Sequence, residues 1–370
     1  TDDDGLAYFK ERVKTLGSDA FGGRKPLTEY ETKTINYIAD EFKALGLEPA
    51  NNGSYFQAVK EIATYTRPQN NKITVKGSKG KTDLKFSDDI VVWTNRGTEK
   101  VLIPNAEYVF VGFGINAPEY NWNDYEGLDV KGKIVIAMVN DPGFYDAKLF
   151  RGKNMTYYGR WTYKHEEAER QGAAGCLVLH NEAAASYGWK VCQSSHVQNN
   201  IGLCDETMNA SAIAMKGWLA EEACRRIFEV SGVDFDATIA AAKQPGFKSI
   251  TMKAKSKVQL NVKYSVGESN NVAAVLPGTD LKDQYVVCTA HWDHFGIGTP
   301  VDGDSIYNGA SDNASGVAAL MWLARKYQQL PIRPRRSIVF VAVTSEECGL
   351  LGSQYYCEHP LFPLSKTAAN

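Results

Sequence analysis

The chain has 370 residues, 44% of them hydrophobic and 11% aromatic, which is enough for two folded units at about 150 residues each. Its 41 basic residues nearly balance 43 acidic ones, so no global field marks it as a nucleic-acid or membrane-surface binder, and the expected partner is small or neutral. No apolar run approaches the roughly 20 residues that span a bilayer, and Thr1-Asp2-Asp3-Asp4-Gly5 is no hydrophobic signal.

Leu6, Phe9, Val13 and Leu16 share one helical face that stops at Gly17, which predicts a short amphipathic helix. A second helix is predicted from Thr28, with Glu31 completing a capping box. It carries Ile35, Ile38, Phe42 and Leu45 inward and ends at Gly46. From about residue 56 to 112 the pattern turns to short β-branched runs such as 72–75 and 90–93, separated by Gly, Asn and Asp. Residues 133–139, a helix near 163–171 and 175–179 then form a strand–helix–strand series with a core of its own. Residues 249–266 alternate again. Beyond Asn271 the rhythm becomes a strand at 284–290, a helix at 314–328 and a strand at 337–343, which is a βαβ unit of an open α/β sheet. The expected division is residues 1–65 with 251–370 as one α/β unit, and 66–250 as a β-rich insertion.

The seven cysteines form no CxxC pair, which argues against a thiolate zinc knuckle; Cys192 and Cys204 flank a polar segment and could be bridged. His165, His180, His196 and His359 lack an acidic partner at ligand spacing and read as packing or surface residues.

The chemistry falls at the carboxyl ends of the two late strands, where ligands bind in open α/β sheets. His291 and Asp293 follow the first, Ser345-Glu346-Glu347 follows the second, and Asp312 sits between them at the mouth of the helix. One imidazole and several carboxylates suit Zn²⁺ or a similar ion. His291 is read as a ligand, with Asp293 accepting its other ring N–H. Asp312 has two oxygens and could bridge ions about 3.5 to 4 Å apart. Of Glu346 and Glu347, one is expected to face the metal and the other to take a proton from bound water. His294 adjoins the site and lines it or takes part in it.

At His291-Trp292-Asp293-His294, at residues 308–316 and at residues 344–353 the sequence resembles the M28 family of zinc peptidases. Residues 16–59 look like that family's leading helices, and 120–139 with 171–179 look like an inserted protease-associated domain. The resemblance implies an open, mainly parallel sheet with helices on both faces. It also implies an exported aminopeptidase, acting on peptides, with two zinc ions: His291 ligates one, Asp312 bridges, Glu347 ligates the other, Glu346 is the base and Asp293 supports His291. The family supplies one further Asp and one further His after the Glu-Glu pair. The sequence stops at Asn370, with only His359 after Glu347, so it is expected to lack both and to bind metal unevenly. The rival readings are a one-zinc, glutaminyl-cyclase-like acyltransferase and a non-catalytic receptor or scaffold on the same fold. The sequence says nothing of oligomeric state.

Overall fold

The two leading amphipathic stretches fold as the helices Asp3–Leu16 and Glu29–Ala44 in the computed structural model, which describes residues 3–370. Leu16, Ile38 and Phe42 are wholly buried, as their helical spacing requires. The capping box does not form. Thr28 takes the N-cap position, but its hydroxyl donates to the Lys25 carbonyl, while the buried Glu31 accepts the N–H of Leu27 at 2.6 Å. Glu31 thus reaches one residue beyond the cap, because the chain before the helix folds back over it.

Contacts divide the chain into two units: the part up to Glu61 together with Val266–Asn370, and Ile62–Ser265. In the first, the strand order is Thr367–Ala369, Leu281–His291, Arg336–Val343 and the last residues of the long strand Ile250–Leu276. The first three run parallel, with His291 opposite Val343, and residues 272–276 run antiparallel to Arg336–Val343. Side chains alternate across this sheet as the pleat demands. Ile338, Phe340 and Ala342 pack with Leu16, Ile38, Phe42 and Met321 of the helices Asp3–Leu16, Glu29–Ala44 and Ser315–Gln328. Val339, Val341 and Val343 pack on the other face with Tyr356 of the helix Leu351–Glu358. The open α/β sheet covered on both faces is the fold class expected.

The second unit has parallel core strands, Lys100–Phe110, Ile134–Met138, Gly175–Leu179 and Met215–Leu219, with Ile90–Trp93 antiparallel at the end. The helices Trp161–Arg170, Glu221–Ser231 and Phe235–Ala242 belong to it, so it is a mixed α/β unit where the sequence suggested a β-rich one. Residues 250–261 pair with Lys100–Phe110 and therefore lie in this unit, not with the late strands as the expected boundary at 251 had it. Ladder partners decide which core a strand joins, and an alternating pattern does not reveal them. Cys192 and Cys204 are both buried. His165 and His196 pack against Trp93, with ring centroids 5.3 and 4.0 Å away.

Candidate metal centre

The two strand ends are tied together before any metal is considered. The Trp292 N–H donates to the Val343 carbonyl at 3.0 Å, and its buried indole donates to the Asn270 carbonyl at 3.0 Å. Asp293, next along, is fully buried, and its two oxygens accept the N–H groups of Glu346 and Glu347 at 3.0 and 3.2 Å. Ser345 enters this turn at φ 51, in the left-handed region that non-glycine residues rarely occupy. A carboxylate that accepts two backbone N–H groups is a strong clamp. The structure thus gives Asp293 a different emphasis from the sequence reading. His291 Nδ1 lies 3.6 Å from its carboxylate and 3.2 Å from its backbone carbonyl, while the carboxylate serves mainly the Glu346-Glu347 turn.

Asp312 comes from the loop before the helix Ser315–Gln328. Gly309 stands there at φ 58, and a Cβ on it would lie 2.5 Å from the His294 ring, so only glycine fits. Beneath the loop lies Arg24, fully buried. Its guanidinium donates to the carbonyls of Leu16, Trp292, Asn308 and Gly309 at 2.5, 2.9, 2.7 and 2.8 Å. One side chain thus fixes the loop after each of two separate chain segments. Burial lowers it to about 10, with the carboxylates of Asp293, Asp312 and Glu347 opposing that shift. In the sequence Gly23-Arg24 belongs to the family-like leading stretch 16–59, but nothing local gives Arg24 a role as a pin.

His291, Asp312 and Glu347 each offer a ligand atom, and all three lie within 4.8 Å of one another. His291 Nε2 is 3.1 Å from Asp312 Oδ1 and 3.7 Å from Glu346 Oε2, while His294 Nδ1 lies 2.7 Å from Glu347 Oε1. His294 therefore takes part in the site by holding one Glu347 oxygen. The Asp312 side chain is 68% exposed, so the cluster opens to solvent on that side. Burial pulls the His291 imidazolium down, but Asp293, Glu346 and Asp312 more than offset it and the group stands at about 9. Glu346 is raised, first by burial and then by Glu347, Asp293 and Asp312, with His291 opposing. The cluster carries an excess of negative charge that favours a cation beside His291 Nε2. One imidazole and two carboxylates so placed fit a zinc ion, with ligand types and spacing of the right kind.

An open α/β sheet with a His-Asp-Glu cluster at its strand ends, of a geometry that could hold a cation, is the class of protein defined here. Residues 271–370, which carry the whole cluster, match the model of peptidase family M28. A probable zinc metalloprotease of Pyricularia oryzae is 33% identical over 145 residues, 39% of this chain and 26% of that protein. Aminopeptidase NAALADL1 of Mus musculus is 32% identical over 129 residues, 33% of this chain and 16% of that protein. The chain thus matches about a quarter or less of the length of these curated relatives. The solved aminopeptidase from Aneurinibacillus sp. strain AM-1 aligns over 97% of this chain and 67% of that one, at 21% identity and a TM-score of 0.44.

Proposed function

We propose that this protein is a zinc-dependent exopeptidase, an aminopeptidase that removes N-terminal residues from peptides. The observation that carries the reading is the convergence of His291, Asp312 and Glu347 within 4.8 Å, with Glu346 beside them. His291 and Glu347 would hold zinc with Asp312 between them, and the second Asp312 oxygen makes a two-ion site the preferred form. Zinc at this place supplies Lewis acidity toward a peptide carbonyl and lowers the pKa of water. Glu346 takes a proton from the attacking water and returns it to the leaving amine, a role suited by its raised pKa. Asp293 holds the backbone of Glu346 and Glu347 so that the two carboxylates point to different tasks. His294 orients Glu347 through its 2.7 Å contact.

The unit Ile62–Ser265 is, in the same proposal, a protease-associated-type domain inserted in the peptidase, and the protein acts outside the cytoplasm. Among the described residues no helix is long and apolar enough to cross a membrane. The test is zinc content and turnover of a panel of amino-acid amides by the protein expressed from its complete reading frame. Absence of tightly held zinc, or hydrolysis of no peptide or amide at all, would sink the proposal.

A further inference from the structure

Glu61, on the strand Phe56–Pro68, is fully buried, and neither of its carboxylate oxygens has a hydrogen-bond partner of good geometry. Nothing assigned so far uses it. A buried carboxylate without a cation or a set of donors does not stay ionised at neutral pH. The charged groups that act on it are Glu31, from the helix Glu29–Ala44, and Asp293, from the loop after His291, and both are acidic. The Cys348 thiol, from the turn after Arg336–Val343, feels Glu61 in turn. Burial raises Glu61 to about 8, with Ser345 opposing by favouring its carboxylate form.

Ser345 opens a run of buried hydroxyls. Its Oγ lies 3.3 Å from Thr344 Oγ1, which lies 2.6 Å from Ser269 Oγ. Burial raises the carboxyl of Glu31, while the Leu27 N–H, which it accepts at 2.6 Å, together with Ser269 and Asn270 favours its carboxylate form. Direction decides where a proton sits. With Ser269 donating to Glu31, Thr344 is left to donate to Ser269 and Ser345 to Thr344. Ser345 Oγ is left as an acceptor, and the group facing it is Glu61. An ionised Glu61 would demand the reverse orientation of Ser345 and break the chain at Thr344.

We infer that Glu61 is the proton-bearing head of this chain and a positioning residue for the Ser345-Glu346-Glu347 turn, its carboxylic O–H donated to Ser345. That donation helps hold Ser345 in its left-handed conformation and so sets where the next two carboxylates point. The positioning role rests on the reading of Glu346 and Glu347 given above; the buried proton does not.

The folded chain keeps a proton that an ordinary glutamate loses near pH 4.5. Stability from this group is therefore full below about pH 4.5, falls as pH rises toward 8 and is level beyond. Glu61→Gln donates an amide N–H in the same place and cannot ionise. Thermal unfolding of the wild-type protein and Glu61→Gln is compared from pH 5 to 9. The expected result is a variant Tm that gains on the wild type by on the order of a few degrees between pH 5 and 8. A constant difference across that range overturns the proposal. Glu61→Leu, which has no donor, is expected to melt below Glu61→Gln at every pH. Should the Leu variant not fold, the Gln comparison decides alone. Amide hydrogen exchange at residues 346–349 reports positioning: the wild type is expected to lose protection above pH 8 while Glu61→Gln keeps it, and equal protection in both overturns the positioning role. Zinc content read in the same samples shows separately whether the peptidase reading has failed.

Discussion

The Arg24 guanidinium donates from Nε to the Trp292 carbonyl at 2.9 Å across 268 positions of sequence. The same fork reaches Leu16, Asn308 and Gly309, so the segment bearing His291 and the loop bearing Asp312 share one anchor. Arg24→Met would leave buried carbonyls without donors, each at a cost of about 1–3 kcal/mol before any water enters. The expected outcome is a loss of roughly 3 kcal/mol or more in urea unfolding. Arg24→Lys is expected to recover only part of it, because an ammonium cannot spread donors as a planar fork does. An unchanged urea midpoint in Arg24→Met would show that the pin contributes little.

Asp293 offers a second test of preorganisation. Both of its oxygens accept backbone N–H groups, those of Glu346 and Glu347. Asp293→Asn keeps the shape but turns an NH₂ toward one of those donors. Stability is expected to drop by about 1.5–3 kcal/mol, the usual worth of a hydrogen bond to a charged group. Zinc affinity should fall by about 10–100-fold, as for other groups that orient ligands, because Glu347 loses its seat. Equal zinc affinity by competition with a chelating dye would mean that the turn holds itself.

The parts of this architecture that the sequence made legible are those set by period and by strand-end chemistry. Val339, Val341 and Val343 alternate with Ile338, Phe340 and Ala342 because the strand is covered on both sides, and the polar residues stop that run where the crevice begins. His291, Asp312 and Glu347 could be nominated because each follows or precedes such an element. What stayed hidden depends on long-range partners. Residues 250–261 alternate like any half-buried strand, yet only their pairing with Lys100–Phe110 shows which core they serve. Glu61 reads in sequence as an ordinary strand residue, Arg24 as part of the leading segment and Glu31 as a helix cap, since a buried charge is recognised by what surrounds it. The Thr28-Glu31 box failed for the same reason: its local rule holds only until tertiary folding gives Glu31 another donor.

Lys164 gives a pH dependence of the opposite sign to that of Glu61, in the second unit. Its ammonium is fully buried and donates to the carbonyls of Asn140 and Tyr158 at 2.9 and 2.5 Å. Burial lowers it to about 7 from an ordinary 10.5, against the pull of Asp124, Asp141 and Cys176. Between those values the unfolded chain binds a proton that the folded chain does not, so stability rises with pH, and it is lost again as pH falls toward 7. The effect across the window is on the order of a few kcal/mol. Lys164→Met should remove that rise in urea unfolding between pH 7 and 9.5, at the expense of two carbonyls left without their donor. A wild-type and variant pair with parallel pH profiles would show that the amine is charged in both states or in neither.

Glu346 and Glu347 are adjacent in sequence yet are assigned opposite tasks, and their substitution separates those tasks. Glu346 lies 3.7 Å from His291 Nε2, whereas Glu347 lies within the ligand cluster and is held by His294 at 2.7 Å. In the protein expressed from its complete reading frame, Glu346→Gln is expected to keep its zinc and lose activity by about 10²–10⁴-fold, because the amide keeps the shape but cannot accept the proton from water. Glu347→Gln should instead lower zinc content, since a neutral amide oxygen is a poorer ligand than a carboxylate. In the proposed two-ion form Asp312→Asn should lower it further, because the bridging role falls to Asp312. The measurements are metal content after dialysis and the turnover of a leucine amide at saturating zinc. Added zinc is expected to restore part of the activity to Glu347→Gln and none to Glu346→Gln. If zinc rescues Glu346→Gln, or if Glu347→Gln retains its metal while losing turnover, the two roles are exchanged and the base is Glu347.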